Sequence, residues 1–185
     1  MKTPFFITGL PRSRTAWLAN LFTYGNSFCW HDACKGGLNA DSVVEALSSV
    51  NTPYVGDSDS GLLLLYNAIL ARFPDSRWLL VRRHHVDAYK SFVKHFKERG
   101  YGGISVKDVQ ESVFEGLATN LQELSTALPA MQKLEVDFED LESGLVLHRA
   151  WEFLTPGNSW NKARFDLLHG LEINVYPEKA SIVWQ

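Results

Sequence analysis

The chain has little cysteine. Cys29 and Cys34 are its only two, and with four residues between them and no second pair they do not make a metal-ligand set. They are expected to be free thiols of a reducing compartment. No apolar run approaches the length of a membrane span. Met1-Lys2-Thr3-Pro4 leads directly into an apolar strand pattern, which leaves no room for the basic and apolar regions of a signal peptide. A cytoplasmic protein without a membrane partner is the expectation. Strong charge of one sign is also missing. A net charge of −3 over 185 residues argues against a general nucleic-acid binder. Internal repeats and low-complexity segments are absent as well.

What is present is apolar and alternating. At 45% hydrophobic and 21% charged residues, the chain is long enough for one well-buried core and short for two, so a single domain over residues 1–185 is expected. Its organising stretch is Phe5-Phe6-Ile7-Thr8-Gly9-Leu10-Pro11-Arg12-Ser13-Arg14-Thr15-Ala16-Trp17-Leu18-Ala19-Asn20-Leu21-Phe22. A short apolar run stopping at Thr8-Gly9 reads as a buried strand, and Trp17, Leu18, Leu21 and Phe22 fit one face of a helix. The loop between them offers backbone N–H groups at a helix end carrying roughly half an elementary positive charge. Pro11 presets the turn, and Arg12, Ser13, Arg14 and Thr15 add side-chain donors. The ligand wanted there is an anion. A nucleotide-kinase loop would close on Gly-Lys-Ser/Thr, with Lys on the transferred phosphate and the hydroxyl on magnesium. Counted from Gly9, those positions are Arg14, Thr15 and Ala16. The lysine is missing and Ala16 has no oxygen for a metal, so transfer of a group that needs no magnesium is expected.

Further along, Ser27-Phe28-Cys29-Trp30 reads as a strand ending at His31-Asp32, where either side chain suits a general base. Asp41 to Leu47 is a short capped helix, and Pro53-Tyr54-Val55-Gly56 a brief strand. The turn Asp57 to Gly61 then caps a helix from Leu62 to Phe73 through Asp59 or Ser60. A minority reading makes Asp57 a metal-binding carboxylate at a strand end. Between Arg72 and Arg99 stand eight Lys or Arg against three acids, a patch suited to a phosphorylated ligand. Within it, Arg77-Trp78-Leu79-Leu80-Val81-Arg82-Arg83 is a strand stopped by arginines. The helix after it carries Ser91 eight residues beyond Arg83, and the two side chains can converge on one phosphate. A long amphipathic helix is expected from Val106 to Leu128, with Val109, Val113, Leu117, Leu121, Leu124 and Leu128 as its core stripe. A strand is expected over Met131 to Val136 and a helix from Asp137 to Leu154. Trp160 to Leu168 reads as a helix with Lys162 and Arg164 available to a ligand, and Glu172 to Tyr176 as a terminal strand. Strands alternating with helices give an α/β fold of three layers, a parallel sheet of about five strands with helices on both faces.

Two of these stretches resemble the P-loop sulfotransferases, which use 3′-phosphoadenosine 5′-phosphosulfate (PAPS) as donor. Pro11-Arg12-Ser13-Arg14-Thr15-Ala16-Trp17 is similar to their motif Pro-Lys/Arg-Ser-Gly-Thr-Thr-Trp/Leu, with Arg14 in place of the glycine and Ala16 in place of a hydroxyl. Arg83, Asp87 and Ser91 stand in the register of their motif for the donor's 3′-phosphate, although His84-His85 replace the usual Asn/Asp-Pro. Phe73-Pro74-Asp75-Ser76-Arg77 matches the family's entry to that strand. The run around Asp137-Phe138-Glu139-Asp140-Leu141 resembles a strand ending in Tyr-Glu-Asp-Leu, with Glu139 ordering loops. The resemblance implies sulfuryl transfer from PAPS to a hydroxyl or amine, with no metal. Residues 11–16, Arg83 and Ser91 would bind the donor and Arg12 would assist the chemistry. By position Asp32 would be the base, with His31 as the other possibility. An exposed small-molecule or glycan acceptor is expected. The rival readings are a small P-loop kinase using ATP, or a nucleotide-binding domain without activity. The sequence sets no oligomeric state.

Overall fold

The structure is a computed structural model, and it describes residues 2–34, 39–99, 110–169 and 171. Five strands form one sheet: β1 (Thr3–Gly9), β2 (Ser27–His31), β3 (Tyr54–Ser58), β4 (Arg77–Arg82) and β5 (Lys133–Asp137). Their order is β2-β3-β1-β4-β5 and every pairing is parallel. Among the described residues seven α-helices flank it: α1 (Thr15–Leu21), α2 (Ala40–Ser49), α3 (Leu62–Arg72), α4 (His85–Arg99), α5 (Glu111–Ala127), α6 (Gly144–Leu154) and α7 (Lys162–His169).

The alternation of a strand explains the layers. Phe5, Ile7, Leu79, Val81, Leu134 and Val136 face one core, which Trp17, Leu18, Leu21, Trp151, Leu154 and Phe165 of α1, α6 and α7 complete. Phe6, Val55, Trp78 and Leu80 face the other, closed by Val43, Leu47, Leu62, Leu63, Ile69, Phe114 and Leu124 of α2, α3 and α5. A sheet covered on both faces needs apolar residues at consecutive positions, which is why its strands read as unbroken apolar runs. The expected α/β three-layer arrangement is the one observed.

Several boundaries differ from the sequence reading. Helix α5 is described from Glu111, and Val113 is 51% exposed while Phe114 takes the core position. Both residues fit the spacing to Leu117 and Leu121, but burying a phenyl ring removes more apolar surface than burying Val. The expected helix from Asp137 to Leu154 is broken. Residues Phe138–Glu142 form a 3₁₀ turn, and Ser143 restarts the chain as α6 by accepting from the Val146 N–H. Met131 sits in a preceding 3₁₀ turn, 81% exposed. Strand β3 runs on through Asp57 and Ser58, which carries Asp57 out of the expected turn and into the buried sheet. The expected terminal strand at Glu172–Tyr176, and Val106 and Val109 of the expected helix, lie outside the described residues.

Strand order places the site. The chain winds from β1 outward to β2 and β3 on one side and to β4 and β5 on the other, so β1 is the switch point at which ligands of open α/β sheets bind, beyond the strand C-termini. Gly9 pairs with Val81, so the loop after β1 and the arginines after β4 are side by side. An added Cβ on Gly9 would meet the Val81 carbonyl oxygen at 2.6 Å, so this close approach requires glycine.

Candidate anion and nucleotide site

The loop after β1 is held in an uncommon backbone conformation. Arg12 has φ 70° and Arg14 φ 61°, both left-handed and both non-glycine. The Ser13 N–H donates to the Leu10 carbonyl at 3.1 Å and closes the turn. Ser13 is fully buried, yet its Oγ has no hydrogen-bond partner among the described residues. A buried hydroxyl without a partner costs free energy that a ligand oxygen would recover.

Arg83 joins the two halves of the site. Its Nη1 donates to the Arg12 carbonyl, 71 positions away in sequence. Its guanidinium carbon lies 3.9 Å from the Phe138 ring centroid, and that of Arg14 lies 5.7 Å from the same ring. Arg14 also forms an ion pair with Glu142. Burial lowers the Arg83 pKa; Arg12 and Arg14 nearby act in the same direction, against Glu139 and Asp87, which favour the charged form. Three guanidinium groups gathered at a strand switch point form a focus of positive potential. A cleft of about 150 Å³ opens beside it, with Leu80, Ala118 and Leu121 as apolar lining and Arg82, Arg83, Gln122, Ser125 and Glu135 as polar lining.

The remaining residues named from sequence fall as follows. Thr15 and Ala16 open α1, and the Thr15 carbonyl accepts from Ser58 Oγ at 2.8 Å. Ser91 lies in the second turn of α4, in whose first turn the Asp87 and Ala88 N–H groups donate to the His84 carbonyl at 3.1 and 3.0 Å. The His84-His85 turn therefore starts the helix without proline. Arg164 is not available to a ligand in the way the sequence suggested. It donates to the Asn20 carbonyl at 2.6 Å and lies 5.5 Å from the Tyr24 ring, which ties α7 to α1. Lys162 pairs with Asp166 one turn along α7. Glu139 is exposed and its charge acts on Arg83, while Phe138 and Glu142 supply the ring and ion-pair contacts to the arginines.

His31 and Asp32 stand at the end of β2. His31 Nδ1 is 2.7 Å from the Ser58 carbonyl oxygen, to which it donates, and Nε2 is 3.4 Å from Asp32 Oδ2. Ser58 thus bridges the histidine to Thr15 at the start of α1, a link no local sequence pattern announced. The Asp32 side chain is 35% exposed against 14% for His31. Behind them lie Asp57 and Asp59. Burial pushes the Asp57 carboxyl well up, with Asp59 and Asp32 adding to it. Burial and then the Asp32 charge raise Asp59 to about 6. Capping of α3 is shared differently from the expectation, since Asp59 accepts from the Gly61 N–H at 2.7 Å and Gly61 itself is the N-cap.

No family profile and no curated relative matches the chain. Solved structures do match. A sulfotransferase from Alicyclobacillus acidocaldarius aligns with a TM-score of 0.64 and 13% identity over 99% of this chain and 90% of its own. Sulfotransferase STF1 from Mycobacterium tuberculosis H37Rv gives 0.61 and 13% over 97% and 73%. Mouse sulfotransferase SULT7A1, complexed with PAP, gives 0.61 and 13% over 91% of this chain and 64% of its own, so the chain spans just under two thirds of that protein. The chain has the P-loop sulfotransferase fold.

Proposed function

We propose that the protein transfers a sulfuryl group from PAPS to a hydroxyl or amine. The observation that carries this reading is the Arg83 side chain meeting the loop after β1 at the Arg12 carbonyl, which sets the two arginine motifs side by side. The fold it shares with sulfotransferases, one of them complexed with PAP, supports the same reading. Residues Pro11 to Ala16 would cradle the 5′-phosphosulfate, with Ser13 Oγ donating to one of its oxygens. Arg83 and Ser91 would hold the 3′-phosphate, and the cleft beside Arg83 would receive part of the nucleoside. Arg12 would neutralise charge developing on the bridging oxygen as the S–O bond breaks. Ala16 offers no metal ligand, and this transfer requires none at that position.

Of the two base candidates, Asp32 is the more exposed, and the His31 ring bonded to Ser58 holds it in place. Asp32 would take the acceptor proton as its oxygen or nitrogen attacks sulfur. Asp32 has φ 56°, a conformation that Asn tolerates well, so Asp32→Asn removes the base without backbone cost. Expected in a sulfuryl-transfer assay over a panel of alcohols, amines and glycans is a loss in kcat of about 10²–10⁴-fold with the affinity for adenosine 3′,5′-bisphosphate unchanged. An Asp32→Asn variant as active as the parent would remove Asp32 from the reaction. Magnesium-dependent binding of ATP in preference to the bisphosphate would favour the kinase reading instead.

A further inference from the structure

We propose that Cys34, Asp57 and Asp59 form a binding site for a divalent cation of the zinc class, which departs from the sequence expectation of no metal. Spacing could not reveal it, because Cys34 follows β2 whereas both carboxylates belong to the end of β3. The register Trp30↔Asp57 and His31↔Ser58 brings these strand ends together. One ligand atom from each of the three residues lies within 4.8 Å of the others, and all three residues are buried. In tetrahedral coordination at the usual bond lengths, ligand atoms on one zinc ion stand about 3.5 Å apart, so the side chains must close in by up to about 1 Å to complete the set.

A second observation concerns Asp57. Its side chain is 0% exposed, and although Oδ1 accepts from the Ala33 N–H at 3.3 Å, Oδ2 has no partner among the described residues. No lysine or arginine pairs with Asp57 or Asp59 among those residues. Asp59 has the Gly61 N–H, the Asp32 carboxyl and the His31 ring beside it, whereas a buried Asp57 carboxylate with one oxygen unpaired must hold a proton or bind an ion. Among the described residues no hydroxyl, amide or guanidinium satisfies Oδ2, and a metal ion is a partner that fits.

The donor set selects the ion. A thiolate with two carboxylates suits zinc or cobalt(II) rather than magnesium or calcium, which take oxygen ligands alone. On binding, the Cys34 thiol gives its proton to the buffer and the sulfur takes the metal, with any proton held by Asp57 or Asp59 leaving in the same way. One position remains for water or a further oxygen. The site stands behind Asp32, whose charge acts on Asp59, and its test reads metal binding by the chain and not sulfuryl transfer.

The experiment uses the full chain stripped by a chelator, titrated with zinc by calorimetry and with cobalt(II) by absorbance. Expected are one equivalent bound and a thiolate-to-cobalt charge-transfer band in the near ultraviolet. Cys34→Ser should abolish the band and Cys29→Ala should retain it. Asp57→Asn should weaken zinc by at least about tenfold, the lower end of losses seen even for outer-shell groups. Far-ultraviolet circular dichroism of each variant separates loss of a ligand from loss of fold. Failure of the parent chain to bind stoichiometric zinc, or a cobalt band that survives Cys34→Ser, overturns the proposal.

Discussion

Replacing Arg12 by alanine is expected to lower sulfuryl transfer from PAPS by about 10²–10³-fold in kcat, the usual size of removing one oriented donor from developing charge. The affinity for adenosine 3′,5′-bisphosphate should fall far less, because on the proposed reading that ligand would keep its 3′-phosphate on Arg83 and Ser91. Backbone effects are controlled by the choice of residue. Arg12 has φ 70°, and alanine carries the same Cβ into that left-handed conformation, so the strain is unchanged and only the guanidinium is lost. The Arg83 bond to the Arg12 carbonyl also survives, since it involves main chain. Steady-state kinetics paired with calorimetry checks both halves of the prediction. A variant that retains kcat, or one that loses the bisphosphate and kcat together, would mean that Arg12 only binds.

The largest structural effect is expected at Gly9. A methyl group there would lie 2.6 Å from the Val81 carbonyl oxygen, 3.0 Å from Val81 Cβ and 3.2 Å from Ser13 Cβ. The first of these atoms is backbone of the paired strand and cannot rotate aside, so β1 and β4 must part where the two arginine motifs meet. Gly9→Ala should therefore cost about 3 kcal/mol, the upper range for overpacking, which corresponds to about 9 °C in Tm for a chain of this length. It should weaken bisphosphate binding at the same time. Gly116 provides the contrast. An added Cβ on Gly116 meets nothing within 4 Å, and the residue lies inside α5, so Gly116→Ala should stabilise by about 0.5–1 kcal/mol. Thermal denaturation of the two variants checks both signs, and a Gly9→Ala protein as stable as the parent would contradict the close strand approach.

The sequence discloses those parts of the candidate site that it concentrates locally. Pro11 to Thr15 crowd donors into five positions after an apolar run, and Arg83 and Ser91 are separated by a fixed interval across a strand-to-helix turn. Sheet order was not readable, yet once β1 lies between β3 and β4 the two segments must meet. Other elements depend on contacts that no short window contains. Phe138 reads as part of a helical run and becomes a ring between Arg14 and Arg83 only because Phe138–Glu142 turns as 3₁₀ after β5. Glu139 acts on the Arg83 charge from this turn, while the ion pair with Arg14 goes to Glu142. Arg164 resembled a spare cation until α7 packed against α1 and its charge met the Asn20 carbonyl. Asp57 opens an acidic, hydroxyl-rich stretch that reads as a turn, and it is held in β3 at a buried position beside Cys34 and Asp59.

Calorimetric titration with adenosine 3′,5′-bisphosphate, set beside AMP, tests the central reading most directly. A 3′-phosphate held by Arg83 and Ser91 adds a charge-assisted contact of about 1.5–3 kcal/mol, or on the order of 10–100-fold in Kd. The bisphosphate should bind that much more tightly than AMP without magnesium, and Arg83→Ala should remove most of the preference. Equal affinity for the two nucleotides, or no binding of either, would contradict the assignment.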